Sequence, residues 1–223
     1  MAMTLAIFDL DNTLIGGDSD YLWGNYLVAA GLVDKDFYER ENARFYEEYR
    51  QGTLNIYEFL DFSLRPLADN PPDTLFKLRD RFMAEIITPI ILPAALALID
   101  EHRRQGHLPV IVSATNRFVT EPIARSFGVD QLLATDPEII DGRYTGRVTG
   151  TPTFREGKVT RVHQWLGELG QRWEAFERIT FYSDSTNDLP LLERVHQPVA
   201  TNPGAALEQI ARERGWRILK LFK

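Results

Sequence analysis

Short apolar runs alternate with helix-patterned stretches along most of this chain, and that alternation restricts its fold more than any other feature. Residues 5–8 (LAIF), 107–115 (HLPVIVSAT) and 178–183 (RITFYS) read as buried strands, with shorter ones at 130–135, 198–201 and around 217–221. Helical spacing fills 92–105, 118–127, 158–169, 188–195 and 204–214, and Gly106 and Gly128 stop the first two. A hairpin over 139–148 turns at Asp141 and Gly142. Strands and helices in alternation predict an α/β fold, a doubly wound, Rossmann-like parallel sheet with helices on both faces. Its ligands then bind beyond the carboxyl ends of the strands.

One long stretch breaks the alternation. After Leu14, the loop Gly16-Gly17-Asp18-Ser19 offers helix N-cap chemistry. Residues 21–87 then carry apolar positions at helical spacing, among them Trp23, Tyr26 and Leu27, and later Ile56, Phe59, Leu60 and Leu64. Pro71 and Pro72 interrupt the run once. We expect residues 16–88 to be a helical insert that packs on itself, and residues 1–15 with 89–223 to form the core. Phe37, Tyr38, Phe45, Tyr46 and Tyr49 are assigned to the insert's interior.

The chain has 223 residues, 44% of them hydrophobic, which suits one large domain or two small ones. A net charge of −7 opposes an extended nucleic-acid surface. The absence of cysteine rules out disulfides, thiolate zinc sites and cysteine nucleophiles together. The apolar run 86–98 contains Pro89 and Pro93 and is shorter than the roughly 20 residues a membrane span needs. No signal-peptide pattern precedes the first strand, so the expected location is cytoplasmic.

The strand ends carry the chemistry. The first run leads into Asp9 and Asp11, whose carboxylates leave the strand end on the same side of the chain because side chains two apart share a face, with Thr13 just beyond. Two such charges about 4 Å apart repel by roughly 4 kcal/mol at an effective dielectric near 20, so a cation or proton must hold them. A carboxylate also attacks phosphorus, and Asp9 is the candidate nucleophile, with Asp11 protonating the leaving group and then deprotonating water. Simple metal ligation is the other role open to Asp11. Asp184 ends a later strand and Asp188 follows it in SDSTND. With magnesium, Asp9, Asp11 and Asp184 are the expected ligands and Asp188 a supporting group, or merely an acid at a helix N-terminus. Ser113, the Ala114 N–H and Lys158 are placed to meet a substrate phosphate. The histidines His102, His107, His163 and His196 lack metal-ligand spacing.

These motifs resemble, in order, the four of the haloacid dehalogenase superfamily. DLDNT matches the first, IVSAT the second through Ser113, Lys158 the third, and SDSTND the fourth through Asp184 and Asp188. The resemblance implies a magnesium-dependent phosphatase working through an aspartyl-phosphate, with the insert as a cap that selects a small phosphorylated metabolite. The insert's position is similar to that in the phosphoserine phosphatase subgroup. There an acid at the place of Asp18 receives the substrate amine, and a cap arginine, matched here to Asp61, holds the substrate carboxylate. An acid at that place disfavours phosphoserine and points to histidinol phosphate. Other small phosphomonoesters, phosphomutase chemistry, a receiver-like signalling protein and a non-catalytic binding protein are the alternatives. A dehalogenase is disfavoured by the extra acids.

Overall fold

In the computed structural model, which describes residues 3–222, seven strands form one sheet: β1 (Met3–Phe8), β2 (Leu108–Asn116), β3 (Leu132–Ile140), β4 (Arg143–Thr149), β5 (Phe176–Ser183), β6 (Gln197–Thr201) and β7 (Arg217–Leu219). Their order is β4-β3-β2-β1-β5-β6-β7. Every neighbouring pair is parallel except β3 and β4. The hairpin joining that pair turns at Asp141 and Gly142, both with φ in the left-handed region (51° and 75°), as a two-residue turn matching strand twist requires.

Helices cover both faces. On β1, Leu5 and Ile7 point to one side and Ala6 and Phe8 to the other, as a period of two demands. The first pair joins a core built with α7 (Glu156–Glu168), α8 (Leu189–Leu192) and α9 (Ala205–Arg214). The second pair meets α5 (Pro93–Arg104) and α6 (Arg117–Ser126).

Four helices stand between β1 and α5: α1 (Ser19–Ala29), α2 (Lys35–Gln51), α3 (Ile56–Asp69) and α4 (Pro72–Phe82), closed by a π-helical turn at Met83–Ile87. The insert does not pack only on itself. Trp23, Leu27, Leu60, Leu64 and Phe82 belong to the same apolar cluster as Phe8 and Ile123. Trp23 meets Phe82 and, from α6, Phe118, with ring centroids 5.2 and 5.7 Å apart. These apolar faces are covered by the core as well as by the insert's own helices.

Two element boundaries also differ from the sequence reading. Strand β3 continues past Thr135 through Pro137, which the edge pairing with β4 tolerates at an irregular register. The helix expected over 188–195 shrinks to a 3₁₀ turn (Thr186–Asp188) and α8, because β6 begins at Gln197. Among the described residues, no helix is long and apolar enough to cross a membrane.

Candidate active site

Strand β1 lies between β2 and β5, so the chain's crossovers leave it in opposite directions and open a crevice at its carboxyl end. Asp9 is the first residue past the strand, fixed by its N–H donating to Tyr182 O at 2.9 Å. Beyond it the backbone turns sharply, with Asn12 at φ 55°. Asn202 Nδ2 secures this loop by donating to the carbonyls of Asn12 and Thr13, each at 3.1 Å. Thr13 Oγ1 lies 3.1 Å from Asp9 Oδ2 and 3.2 Å from Asp184 Oδ1, and accepts the Asp184 N–H at 3.1 Å. One hydroxyl therefore ties the tip of β1 to the tip of β5.

Lys158 completes the setting of Asp9. Its Nζ donates to Asp9 Oδ1 at 2.7 Å and to Asp188 Oδ2 at 2.8 Å, and the residue is only 1% exposed. Ser183 Oγ also donates to Asp188 Oδ2, at 2.7 Å. Asp188 is therefore a partner of Lys158. The first turn of α7 reaches the crevice because position 157 is glycine: a Cβ there would stand 2.0 Å from Pro152 O.

Asp11 is held apart from this set. Its Oδ1 accepts the Ser19 N–H at 2.6 Å, while Oδ2 accepts from Thr115 Oγ1 at 2.9 Å and lies 3.5 Å from Ser113 Oγ. The Asp11 carboxylate thus points to Ser19 and Thr115, apart from those of Asp9 and Asp184. Among the described residues, no three His, Cys, Asp or Glu side chains are grouped to hold a metal ion. The strand stops at Phe8, so the shared-face rule lapses before residue 11. Asp9 and Asp184 alone converge on Thr13. This all-oxygen set fits magnesium, which takes one or two carboxylates and completes its octahedron with water and phosphate.

Ser113 is buried at the end of β2 and accepts the Thr115 N–H at 3.1 Å, with Ala114 beside it in the wall of the site. Asp18 caps α1, accepting the Tyr21 N–H at 2.8 Å. Asp61 does not join. It is exposed on α3 and lines a groove on the insert's outer side with Phe37, Arg65 and Asp69, because the buried stripe of α3 runs through Leu60, Leu64 and Leu67.

Insert and core enclose a cavity in which Asp9 and Asp11 form one end. Asp18, Asp20 and Asn42 continue the wall, with Tyr21, Phe45, Tyr46, Tyr49, Phe59 and Phe154 as apolar surface. None of the described residues lining it is basic. Tyr46 and Tyr49, expected inside the insert, are part of this wall, and Tyr46 stacks on Tyr21 with centroids 4.6 Å apart. Two core side chains hold the insert down: Asn187 Nδ2 donates to Tyr49 O at 2.9 Å, and Arg155 donates to Gly52 O.

Acid crowding dominates the electrostatics. Burial, followed by Asp18, lifts the Asp11 carboxyl to about 6. Burial lifts Asp188 to about 6 against the pull of Lys158. Burial raises Asp9 despite Lys158, and burial with neighbouring Asp9 raises Asp184 well above the carboxylate range. Asp20 is pushed well up by burial and then by Asp18. Burial by itself lowers Lys158, yet Asp188 and Asp9 hold it above its ordinary value. Such a site favours positive charge on whatever enters it.

Sequence reasoning missed Thr115, Asp20, Asn42, Arg155 and Asn187. Asn42 had a signal, as a polar residue on the stripe Tyr38-Asn42-Phe45-Tyr49 of a highly charged helix. Thr115 had another, two residues from Ser113 on the same strand face.

A profile of haloacid dehalogenase-like hydrolases matches residues 6–193. The chain belongs to that family. Within it, this hydrolase is 47% identical over 216 residues to the histidinol-phosphatase of Neisseria meningitidis, covering 96% of this chain and 97% of that one. A crystal structure of a protein from Bordetella pertussis superposes with a TM-score of 0.94 at 46% identity, each chain covered completely. A phosphoserine phosphatase solved as a phospho-aspartyl intermediate analogue has the same fold, with a TM-score of 0.71 at 20% identity, over 100% of this hydrolase and 95% of that chain.

Proposed function

We propose that this hydrolase is a magnesium-dependent phosphomonoesterase that cleaves histidinol phosphate through an aspartyl-phosphate on Asp9. The observation that carries the reading is the cavity between insert and core, which joins the Asp9 carboxylate to a wall of acids and aromatic rings with no basic side chain among the described residues that line it. A substrate carboxylate would find only repulsion there. An amine and an imidazole would find complementary charge, and the likeness to a histidinol-phosphatase along the whole chain supports the same substrate. Asp18 and Asp20, rather than the outward-facing Asp61, supply the acids that disfavour a substrate carboxylate.

In the reaction, Thr13 and Lys158 hold the Asp9 carboxylate from both sides so that an oxygen is presented to phosphorus. Attack forms a bond from an Asp9 carboxylate oxygen to phosphorus, an acyl phosphate, and breaks the bond from phosphorus to the substrate oxygen, which takes a proton from Asp11. Water then attacks the phosphorus, gives its proton to the Asp11 carboxylate and releases phosphate with Asp9 restored. An acid lifted toward neutrality by its surroundings suits both halves of that exchange. Lys158 and the Ala114 N–H are the donors available to the phosphoryl oxygens. Magnesium, held by Asp9 and Asp184, supplies neutralising charge at the phosphate.

Phosphate release with magnesium tests this across histidinol phosphate, phosphoserine, glycerol phosphate and sugar phosphates, with Asp9→Asn as the inactive control. Histidinol phosphate is expected to exceed phosphoserine at least tenfold in kcat/KM. Equal or better hydrolysis of phosphoserine would overturn the substrate assignment, and full activity in Asp9→Asn the nucleophile.

A further inference from the structure

Asn42 is an unusual wall for a cavity. It is 5% exposed, and its Nδ2 donates twice, to Tyr21 O at 3.0 Å and to Asn25 Oδ1 at 3.1 Å. Because a main-chain carbonyl only accepts, the first bond fixes which end of the amide is nitrogen. Both N–H groups are used. The remaining atom, Oδ1, receives no hydrogen bond from the described residues and is free to accept one. The arrangement is built in: α1 carries Gly24 opposite, where a Cβ would come within 2.7–2.8 Å of the Asn42 amide atoms.

Asp20 lies beside it. It directly precedes Tyr21, whose carbonyl holds Asn42, and its carboxylate faces the same cavity with no hydrogen bond from the described residues. The two acceptors sit at the insert end of the acid series that begins with Asp9 and Asp11 and passes through Asp18. The stacked Tyr21 and Tyr46 rings line the same space with flat apolar surface.

We propose that Asp20 and Asn42 form a ring subsite, in which the Asp20 carboxylate and Asn42 Oδ1 each accept one N–H of the substrate's imidazolium. The inference rests on the histidinol phosphate reading and adds which residues recognise the ring. A protonated imidazole carries two N–H donors and a flat apolar body, which matches two acceptors beside aromatic faces. Asp18, nearer the phosphate, is left for the amine. The ring is thus read by hydrogen bonding as well as by shape, and such sites reject isosteres that lack the donor far better than apolar pockets do.

Two comparisons test it by kcat/KM. The unmodified enzyme is offered histidinol phosphate and phenylalaninol phosphate, which keeps the amine and ring shape but has no ring N–H. Preference for histidinol phosphate of at least a hundredfold is expected, and equal turnover of the two would overturn the subsite. Asp20→Asn and Asn42→Leu are then compared with the parent on histidinol phosphate and phosphoethanolamine, which has an amine and no ring. Folded variants should lower the ratio of the first to the second at least tenfold, mainly through KM, and an unchanged ratio would overturn the assignment. Should neither variant fold, the comparison on the parent still decides. If the parent prefers phosphoserine to histidinol phosphate, the substrate reading itself has failed, an outcome separate from loss of the subsite alone.

Discussion

Lys158 is the residue on which the site's charge balance turns. It is buried with two buried carboxylates, Asp9 and Asp188, and removing one member of such a group leaves uncompensated charge at a cost of about 3–5 kcal/mol. For a chain of this length that corresponds to a fall in Tm of roughly 6–20 °C. Lys158→Met should show it at pH 7 in EDTA. The sign of the pH dependence follows from the acids. Without the ammonium, both carboxyls are held still higher and bind protons more readily in the folded state, so the gap to the parent should narrow as pH falls from 7 to 5. A gap that widens on acidification, measured by thermal melts, would contradict this account. Residue identity at this scale was readable in advance, because Asp9, Lys158, Asp184 and Asp188 each stand at the end of a strand or start of a helix. Direction was not. Asp11 turns toward Ser19 and Thr115, because β1 stops two residues too early for strand alternation to govern it.

At the scale of elements, side-chain hydrogen bonds from the core tie down the end of α2. Its last carbonyls, at Tyr49 and Gly52, accept from Asn187 and Arg155, where a cation is also favoured by the helix dipole. Arg155 keeps its place at φ 51°, and its guanidinium also donates to Asn187 Oδ1 at 3.3 Å. The contact holds Tyr49, a wall of the cavity, in place. Arg155→Ala should raise KM about fivefold, the worth of roughly one hydrogen bond, while Tm changes little. An unaltered KM would mean that α2 is held by its apolar contacts alone. Helix phase explains what the sequence left hidden here. The stripe of α3 through Leu60, Leu64 and Leu67 turns its neighbour Asp61 outward, since each residue advances 100° around the axis. On α2 the stripe of Tyr38, Asn42 and Phe45 was visible as periodicity, but whether it met the insert's interior or the catalytic crevice depended on how the insert docks. That docking is tertiary. It is fixed by Trp23, Phe82 and Phe118, which come from three separated segments.

The molecule as a whole has a second buried polar centre, under the sheet and distant in role from the cavity. Phe8 stacks on Tyr182 at 4.9 Å, and the Tyr182 hydroxyl meets His102 Nε2 at 2.8 Å. His102 Nδ1 lies 2.8 Å from His107 Nδ1, so the two rings share a proton between them. Burial, reinforced by His107, lowers His102 to about 4. A histidine depressed in this way leaves stability untouched above its unfolded value near 6.5 and withdraws it progressively down to about 4, because the unfolded chain binds the proton more tightly. Melting temperatures from pH 7 to 4.5 should therefore fall more steeply in the parent than in His102→Gln, and parallel curves would remove His102 from the acid response. Sheet order carries a further consequence, for synthesis. The central strand β1 leaves the ribosome first, yet the strands that flank it begin only at Leu108 and Phe176. Nascent β1 must wait, apolar and unpaired, while the locally encoded helices of the insert are made. Its non-local pairings raise the contact order of the fold, which slows closure. Thr13 can meet Asp184 only after β5 is made, and Asn202 secures the Thr13 loop later still.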